Sequence, residues 1–112
     1  MSYELKESKI NKQGIFTTTQ YPKNIEIGLY VSTSCEKGVR YLFKPPVETQ
    51  WYEIGMLGRY CNHSDNPNTH FSRIDNDIFL ISNGISENEE ITSDYNIVSE
   101  MINFPMDTTK FN

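Results

Sequence analysis

Apolar residues in this chain come in short runs with a period near two, separated by turn residues. Ile15-Phe16-Thr17-Thr18-Thr19 is β-branched and aromatic, the composition of a strand. Ile25-Glu26-Ile27-Gly28-Leu29-Tyr30-Val31 alternates apolar with other positions and predicts a half-buried strand. Val39 to Phe43 predicts another, broken by Pro45-Pro46. Ile78-Phe79-Leu80-Ile81 is a short apolar strand ended by Asn83-Gly84, and the last strand runs from Glu90 to Tyr95. Turn signals lie between them at Asn11-Lys12-Gln13-Gly14, Tyr21-Pro22-Lys23-Asn24, Glu36-Lys37-Gly38 and Asp65-Asn66-Pro67-Asn68. Gly14 supplies either a positive φ or room for another group to approach the backbone. Asp75-Asn76-Asp77 resembles a piece of a calcium loop, but it lacks the glycine and terminal glutamate such a loop needs, so it reads as a hairpin turn. Trp51 to Tyr60 is weakly patterned, a loop or a short helix. Ile97 to Phe104 has room for one or two helical turns before Pro105. Many short strands with turns every ~8–12 residues predict a mainly β fold with almost no helix.

Composition narrows the partners. The chain has 112 residues, which makes 1–112 one domain. Hydrophobic residues at 37% and aromatics at 12% are enough for a modest core and argue against disorder. Ten basic against fifteen acidic residues leave a net charge of −5, which repels phosphate and suits a cationic partner, so direct nucleic-acid binding is not expected. No apolar run approaches the ~20 residues of a membrane span, and the first residues lack the apolar centre of a signal peptide. An intracellular location is expected. Cys35 and Cys61 read as free thiols in a reducing compartment. With His63 and His70 they match no usual zinc spacing, and no metal is expected. Asn62-His63-Ser64 is formally a glycosylation sequon, but one that requires secretion.

Four segments together carry a family resemblance. Arg59-Tyr60-Cys61-Asn62-His63-Ser64-Asp65-Asn66-Pro67-Asn68 resembles the SET-domain signature R-[FY]-x-N-H-S-C-x-P-N, departing only at Asp65, where the family has Cys. Further on, Glu89-Glu90-Ile91-Thr92-Ser93-Asp94-Tyr95 resembles G-E-E-[IL]-T-x-[DS]-Y. Gly14-Ile15-Phe16 is similar to the end of G-x-G-[VI]-F, with Lys12 in place of the first glycine, and Tyr41-Leu42-Phe43 is similar to a Y-L-F strand of the family. Order and spacing agree over roughly residues 7 to 96, leaving 97–112 as a tail. The length is similar to that of the stand-alone minimal SET proteins of large DNA viruses. The resemblance implies a β-clip fold of small curved sheets with a knot-like threading of the C-terminal segment. It places the Asn62 and Tyr95 segments side by side.

It also implies an activity: transfer of a methyl group from S-adenosylmethionine to a lysine amine of a protein, with a histone as the family precedent. The alternative is a SET-like module that binds cofactor or protein without catalysis. Tyr95 is then the catalytic residue, and Asn62 and His63 contact the cofactor. Gln13 and Gly14 form a loop along it, or an ordinary turn. If the position of Lys12 needs a positive φ, lysine strains it; otherwise its ammonium meets the cofactor carboxylate. Arg59 and Tyr60 flank the cofactor, with a solvated Arg59 as the plainer reading. Ser93, two residues before Tyr95 on one strand face, and Tyr41 are candidate walls of a lysine channel. A small serine there implies a wide channel and more than one methyl added; the plainer reading has it facing solvent. Phe104 or Phe111 folds over the adenine, or the tail frays. The acidic run Glu87, Glu89 and Glu90 is a solvated surface or a lure for a basic, lysine-bearing segment of the substrate. Pairing into a homodimer is expected by analogy with minimal viral members.

Overall fold

The structure is a computed structural model that describes residues 2–32, 40–41, 52–53, 55–75 and 77–102. It is mainly β. In chain order the strands are β1 (Tyr3–Glu7), β2 (Gln13–Thr17), β3 (Glu26–Ser32), β4 (Arg40–Tyr41), β5 (Tyr52–Glu53), β6 (Asn62–His63), β7 (Thr69–Ile74), β8 (Asp77–Ser82) and β9 (Glu90–Ser93). Helix α1 (Gly55–Tyr60) precedes β6, and α2 (Tyr95–Ile102) follows β9. One sheet has the order β1-β2-β9-β6 and the other β4-β5-β3-β8-β7. Among the described residues, no helix is long and apolar enough to cross a membrane.

Side-chain alternation explains which faces meet. In β8, Ile78, Leu80 and Ser82 are buried while their neighbours are partly exposed, the period of a sheet with one covered face. β3 does not keep that period, because register shifts against β8 between Glu26 and Gly28 and between Leu29 and Val31 turn its last three residues fully inward. Ile15, Ile91, Val31, Ile78, Leu80 and Val98 are wholly buried, so both sheets and α2 contribute to one core. Gly28 matters here as an absence: a Cβ at that position would lie 2.8 Å from Leu57 Cδ1, so a side chain there would force the Leu57 methyl to shift. Tyr30 meets Phe71 edge to face at 5.1 Å.

β7 and β8 pair antiparallel with Ile74 opposite Asp77, the register a hairpin needs, and Asp75 has φ 53°. Four strands lay outside the sequence expectation: β1, β5, β6 and β7. β1 alternates only over Tyr3 to Lys6, too few residues to stand out; β7 mixes polar and apolar residues on both faces; β5 and β6 are two residues each, too short to show a period. The expected strands over Val39 to Phe43 fall on described residues only at Arg40 and Tyr41, where β4 pairs with β5. Cys35, Phe104 and Phe111 lie outside the described residues.

The backbone strains at one place where the side chain has no excuse. Among the described residues, four that are not glycine have positive φ. Asn24, Asp75 and Asn88 are types that tolerate it. Lys12, at φ 32°, is not. Lys12→Gly is therefore expected to raise unfolding free energy by about 0.5 kcal/mol, after the entropy that glycine adds to the unfolded chain, and Lys12→Val to lower it by about 1 kcal/mol. Urea unfolding of the two variants checks this; a Lys12→Gly protein less stable than Lys12→Val contradicts it.

Candidate active site

Two polar segments far apart in sequence are brought together by a short parallel pairing. Asn62 lies opposite Thr92 and His63 opposite Ser93, joining β6 to β9. Neither strand is long enough to hold itself there, and side chains complete the join. Asn68 uses both ends of its amide: Oδ1 accepts from the Thr92 N–H at 2.9 Å, and Nδ2 donates to the Glu90 carbonyl at 2.7 Å. Thr69 Oγ1 donates to the Thr92 carbonyl at 2.7 Å, and the Ser64 N–H donates to the Ser93 carbonyl at 3.0 Å.

Tyr95 does not continue the strand, as its sequence suggests. β9 ends at Ser93, and Asp94 Oδ1 accepts the Asn96 N–H at 2.9 Å, the capping bond of a helix start. Tyr95 therefore opens α2, and the period-two argument that set Ser93 and Tyr95 on one strand face does not apply. The Tyr95 ring is turned inward, 2% exposed, and its hydroxyl donates to the Cys61 carbonyl at 2.7 Å. Its N–H, an otherwise unpaired donor of a helix's first turn, donates to His63 Nδ1 at 3.0 Å. A ring nitrogen that accepts carries no proton, so Nε2 carries it and donates to Asp65 Oδ1 at 2.9 Å. His63, Asp65 and Asp94 bring ligand-type atoms within 4.8 Å of one another, but this tautomer leaves neither ring nitrogen a lone pair for a metal. Of the cysteine–histidine set considered from sequence, Cys35 lies outside the described residues, Cys61 is buried, and exposed His70 bonds Asn83.

Asn62, 1% exposed, faces the first loop. Its Nδ2 lies 2.8 Å from Glu90 Oε2, 3.1 Å from the Gln13 carbonyl and 3.1 Å from Ser8 Oγ. Ser8 Oγ in turn donates to the Glu90 carboxylate, 2.7 Å from Oε1 and 2.9 Å from Oε2. Gly14 serves by close approach, not by a positive φ: a Cβ there would overlap Glu90 Oε2 and sit 3.0 Å from Asn62 Nδ2. Glu90 thus differs from its exposed neighbours Glu87 and Glu89, and the reading of all three as one solvated run holds only for those two. On the outer side of β1 and β2 an open depression of about 670 Å³ reaches Glu90 between Lys6, Lys9 and Phe16.

The remaining candidates are scattered. Gln13 takes part through its carbonyl while its side chain is exposed. Arg59 is exposed on the last turn of α1, its guanidinium 5.4 Å from the ring of half-buried Tyr60. Ser93 does not face solvent: it is 0% exposed, with Cys61 Sγ 3.5 Å from its hydroxyl. Tyr41 lies in β4 opposite Tyr52. The sequence reading missed Ser8 and the clamping role of Asn68. Asn68 stood inside the signature; Ser8 carried no signal, since its partner is Glu90 across the sheet.

Burial dominates the Cys61 thiol, pushing its pKa up to about 12 from an ordinary 9.0; the nearby Glu90 charge adds to this and the Ser93 hydrogen bond opposes it. The unfolded thiol loses its proton above 9.0 while the folded one keeps it, so stability falls as pH rises from there towards about 12. The limiting slope is about 1.4 kcal/mol per pH unit, and Cys61→Ala is expected to flatten it in urea titrations between pH 8 and about pH 10. Comparison stays below that because burial also raises the Tyr3 and Tyr21 phenols. Equal slopes in both proteins contradict the assignment. Gly14→Ala is expected to cost about 1–3 kcal/mol in the same assay, since neither Glu90 nor Asn62 can move without losing partners.

The SET domain family matches residues 5–96. A crystal structure of a Plasmodium falciparum protein, provisionally described as a histone methyltransferase, superposes with a TM-score of 0.56 at 22% identity, covering 83% of this chain and 91% of that one. Among curated protein sequences, none matches. The fold, the order of the signature segments and the match over most of its length place this chain in the SET-domain family.

Proposed function

We propose that this chain is an S-adenosylmethionine-dependent protein-lysine N-methyltransferase in which Tyr95 is the catalytic residue. The observation that carries the reading is the Tyr95 hydroxyl, 2.7 Å from the Cys61 carbonyl and one residue from Asn62. SET domains are in general lysine methyltransferases, and two polar groups here fit their cofactor: the Asn62 amide beside Gly14, which takes no side chain, and the Tyr95 phenol on the Cys61 carbonyl. The cofactor supplies a methyl group on a positively charged sulfur.

The chain's own residues have three tasks. Asn62 and the Gln13-Gly14 backbone bind. The Tyr95 hydroxyl, fixed at both ends of its residue by Cys61 and His63, orients the incoming amine, because bound geometry replaces a bimolecular encounter. Burial of Tyr95, Asn62 and Ser93 keeps water out of the reacting space. The substrate amine must arrive without its proton, although a free lysine has a pKa of ~10.4. A neighbouring sulfonium disfavours a second positive charge and favours that neutral form. The net charge of −5 and the exposed Asp65, Glu87 and Glu89 favour a basic segment as substrate. A histone tail is such a segment, and the similar Plasmodium protein supports trying it first.

Incubation with methyl-labelled cofactor and a set of basic peptides, histone tails included, tests the proposal. Label is expected on lysine, and Tyr95→Phe is expected to lower transfer about 100-fold while calorimetry still detects cofactor binding. Cofactor binding with no transfer to any peptide favours a binding module without catalysis. A protein that binds no cofactor contradicts both readings.

A further inference from the structure

We infer that Glu90 and Ser8 are positioning residues that hold Asn62 and the loop from Ser8 to Gly14 in the form that accepts the cofactor. The inference rests on the cofactor reading of the site. An asparagine amide has two nearly equal orientations, and its surroundings choose between them. Here four acceptors surround its nitrogen: Glu90 Oε2, Ser8 Oγ and the carbonyls of Gln13 and Asn11. Glu90 offers the one charged acceptor among them, and charge-assisted bonds are the stronger kind.

The same carboxylate ties down the loop. Ser8 Oγ donates to it and also accepts the Ile10 N–H at 3.0 Å, so the carboxylate reaches the loop backbone through one hydroxyl. The Ser8 N–H donates to the Lys12 carbonyl at 3.0 Å, closing the loop at its far end. That bond spans the turn in which Lys12 holds its positive φ. Gly14 lies flat against the carboxylate, which fills the space a side chain would take. Among the described residues no cationic side chain pairs with Glu90, although Lys6 and Lys9 line the depression outside it. Its hydrogen-bond partners are the neutral donors of Ser8 and Asn62. The carboxylate is therefore committed to orienting those two groups. Both residues bond Asn62 and the first loop, while the Tyr95 hydroxyl bonds the Cys61 carbonyl, so their effect is expected in cofactor affinity and not in the methyl-transfer step.

The experiment measures the cofactor dissociation constant by calorimetry and turnover at saturating cofactor, with thermal unfolding as the check on folding. Glu90→Ala is expected to weaken binding about 10-fold or more, Ser8→Ala about 3-fold, and Glu90→Gln between the two, with saturated turnover within about 2-fold of the parent. A mutant cycle reads whether Glu90 acts through Asn62: in an Asn62→Ala background, Glu90→Ala is expected to cost less than about 2-fold. Ser8→Ala keeps the test decisive should Glu90→Ala fail to fold. Unchanged affinity in both Ser8→Ala and Glu90→Gln overturns the inference, as does an equal loss from Glu90→Ala with and without the Asn62 side chain. A parent protein that binds no cofactor overturns the reading of the site, and with it this inference; a parent that binds beside unaffected variants overturns the inference alone.

Discussion

The structure depends on the two-residue parallel pairing between β6 and β9. A parallel pair cannot be closed by a tight turn, so the chain must travel through Asn68, the β7–β8 hairpin and the bridge of Ile85 to Tyr21 before it returns. So short a ladder has few backbone bonds of its own. What secures it is the Asn68 amide, which bonds β9 on two backbone groups, and Thr69, which bonds a third. With the pairing formed, everything chemical follows by proximity: Cys61 and Asn62 lie beside the start of α2, and Glu90 at the head of β9 faces the first loop.

The site is built in two halves with different physics. Around Tyr95 the contacts are directional and neutral: a hydroxyl on a carbonyl and a backbone N–H on a histidine whose tautomer Asp65 fixes. Asp65 stands where the family signature has Cys, and it turns His63 into a bridge between the signature segment and α2. Around Asn62 the contacts converge on one carboxylate that is partly shielded from water. The two halves are linked by Cys61, whose carbonyl serves Tyr95 and whose buried thiol feels the Glu90 charge.

Much of this was legible in the residues. Ile15-Phe16, Leu29-Tyr30-Val31 and Ile78 to Ile81 announced their strands, because β-branched and aromatic residues on one covered face leave a period that survives in sequence. The signature segments named Tyr95, Asn62 and Gly14, and the structure brings these into one neighbourhood. Tyr95 was misplaced on a strand because Asp94 caps a helix whose first residue carries the same aromatic type a strand would use. Glu90 was read with Glu87 and Glu89 because charge alone does not reveal burial. Its difference lies in a partner, Ser8, that is distant in sequence and near only once β1, β2 and β9 are side by side. β1 and β7 were hard to see for related reasons: the alternation of Tyr3 and Leu5 in β1 is brief, and β7 mixes polar and apolar residues on both faces, so both depend on their neighbours.

The central claim is spatial: cofactor lies between the first loop and Tyr95, against Cys61, Asn62 and His63. Backbone amide chemical shifts of isotope-labelled protein, followed as S-adenosylmethionine is added, test it most directly. The account predicts saturable shifts grouped at residues 11–14, 61–63 and 94–95, with the β7–β8 hairpin unmoved. Shifts grouped on that hairpin, or none at concentrations well above those in cells, would contradict it.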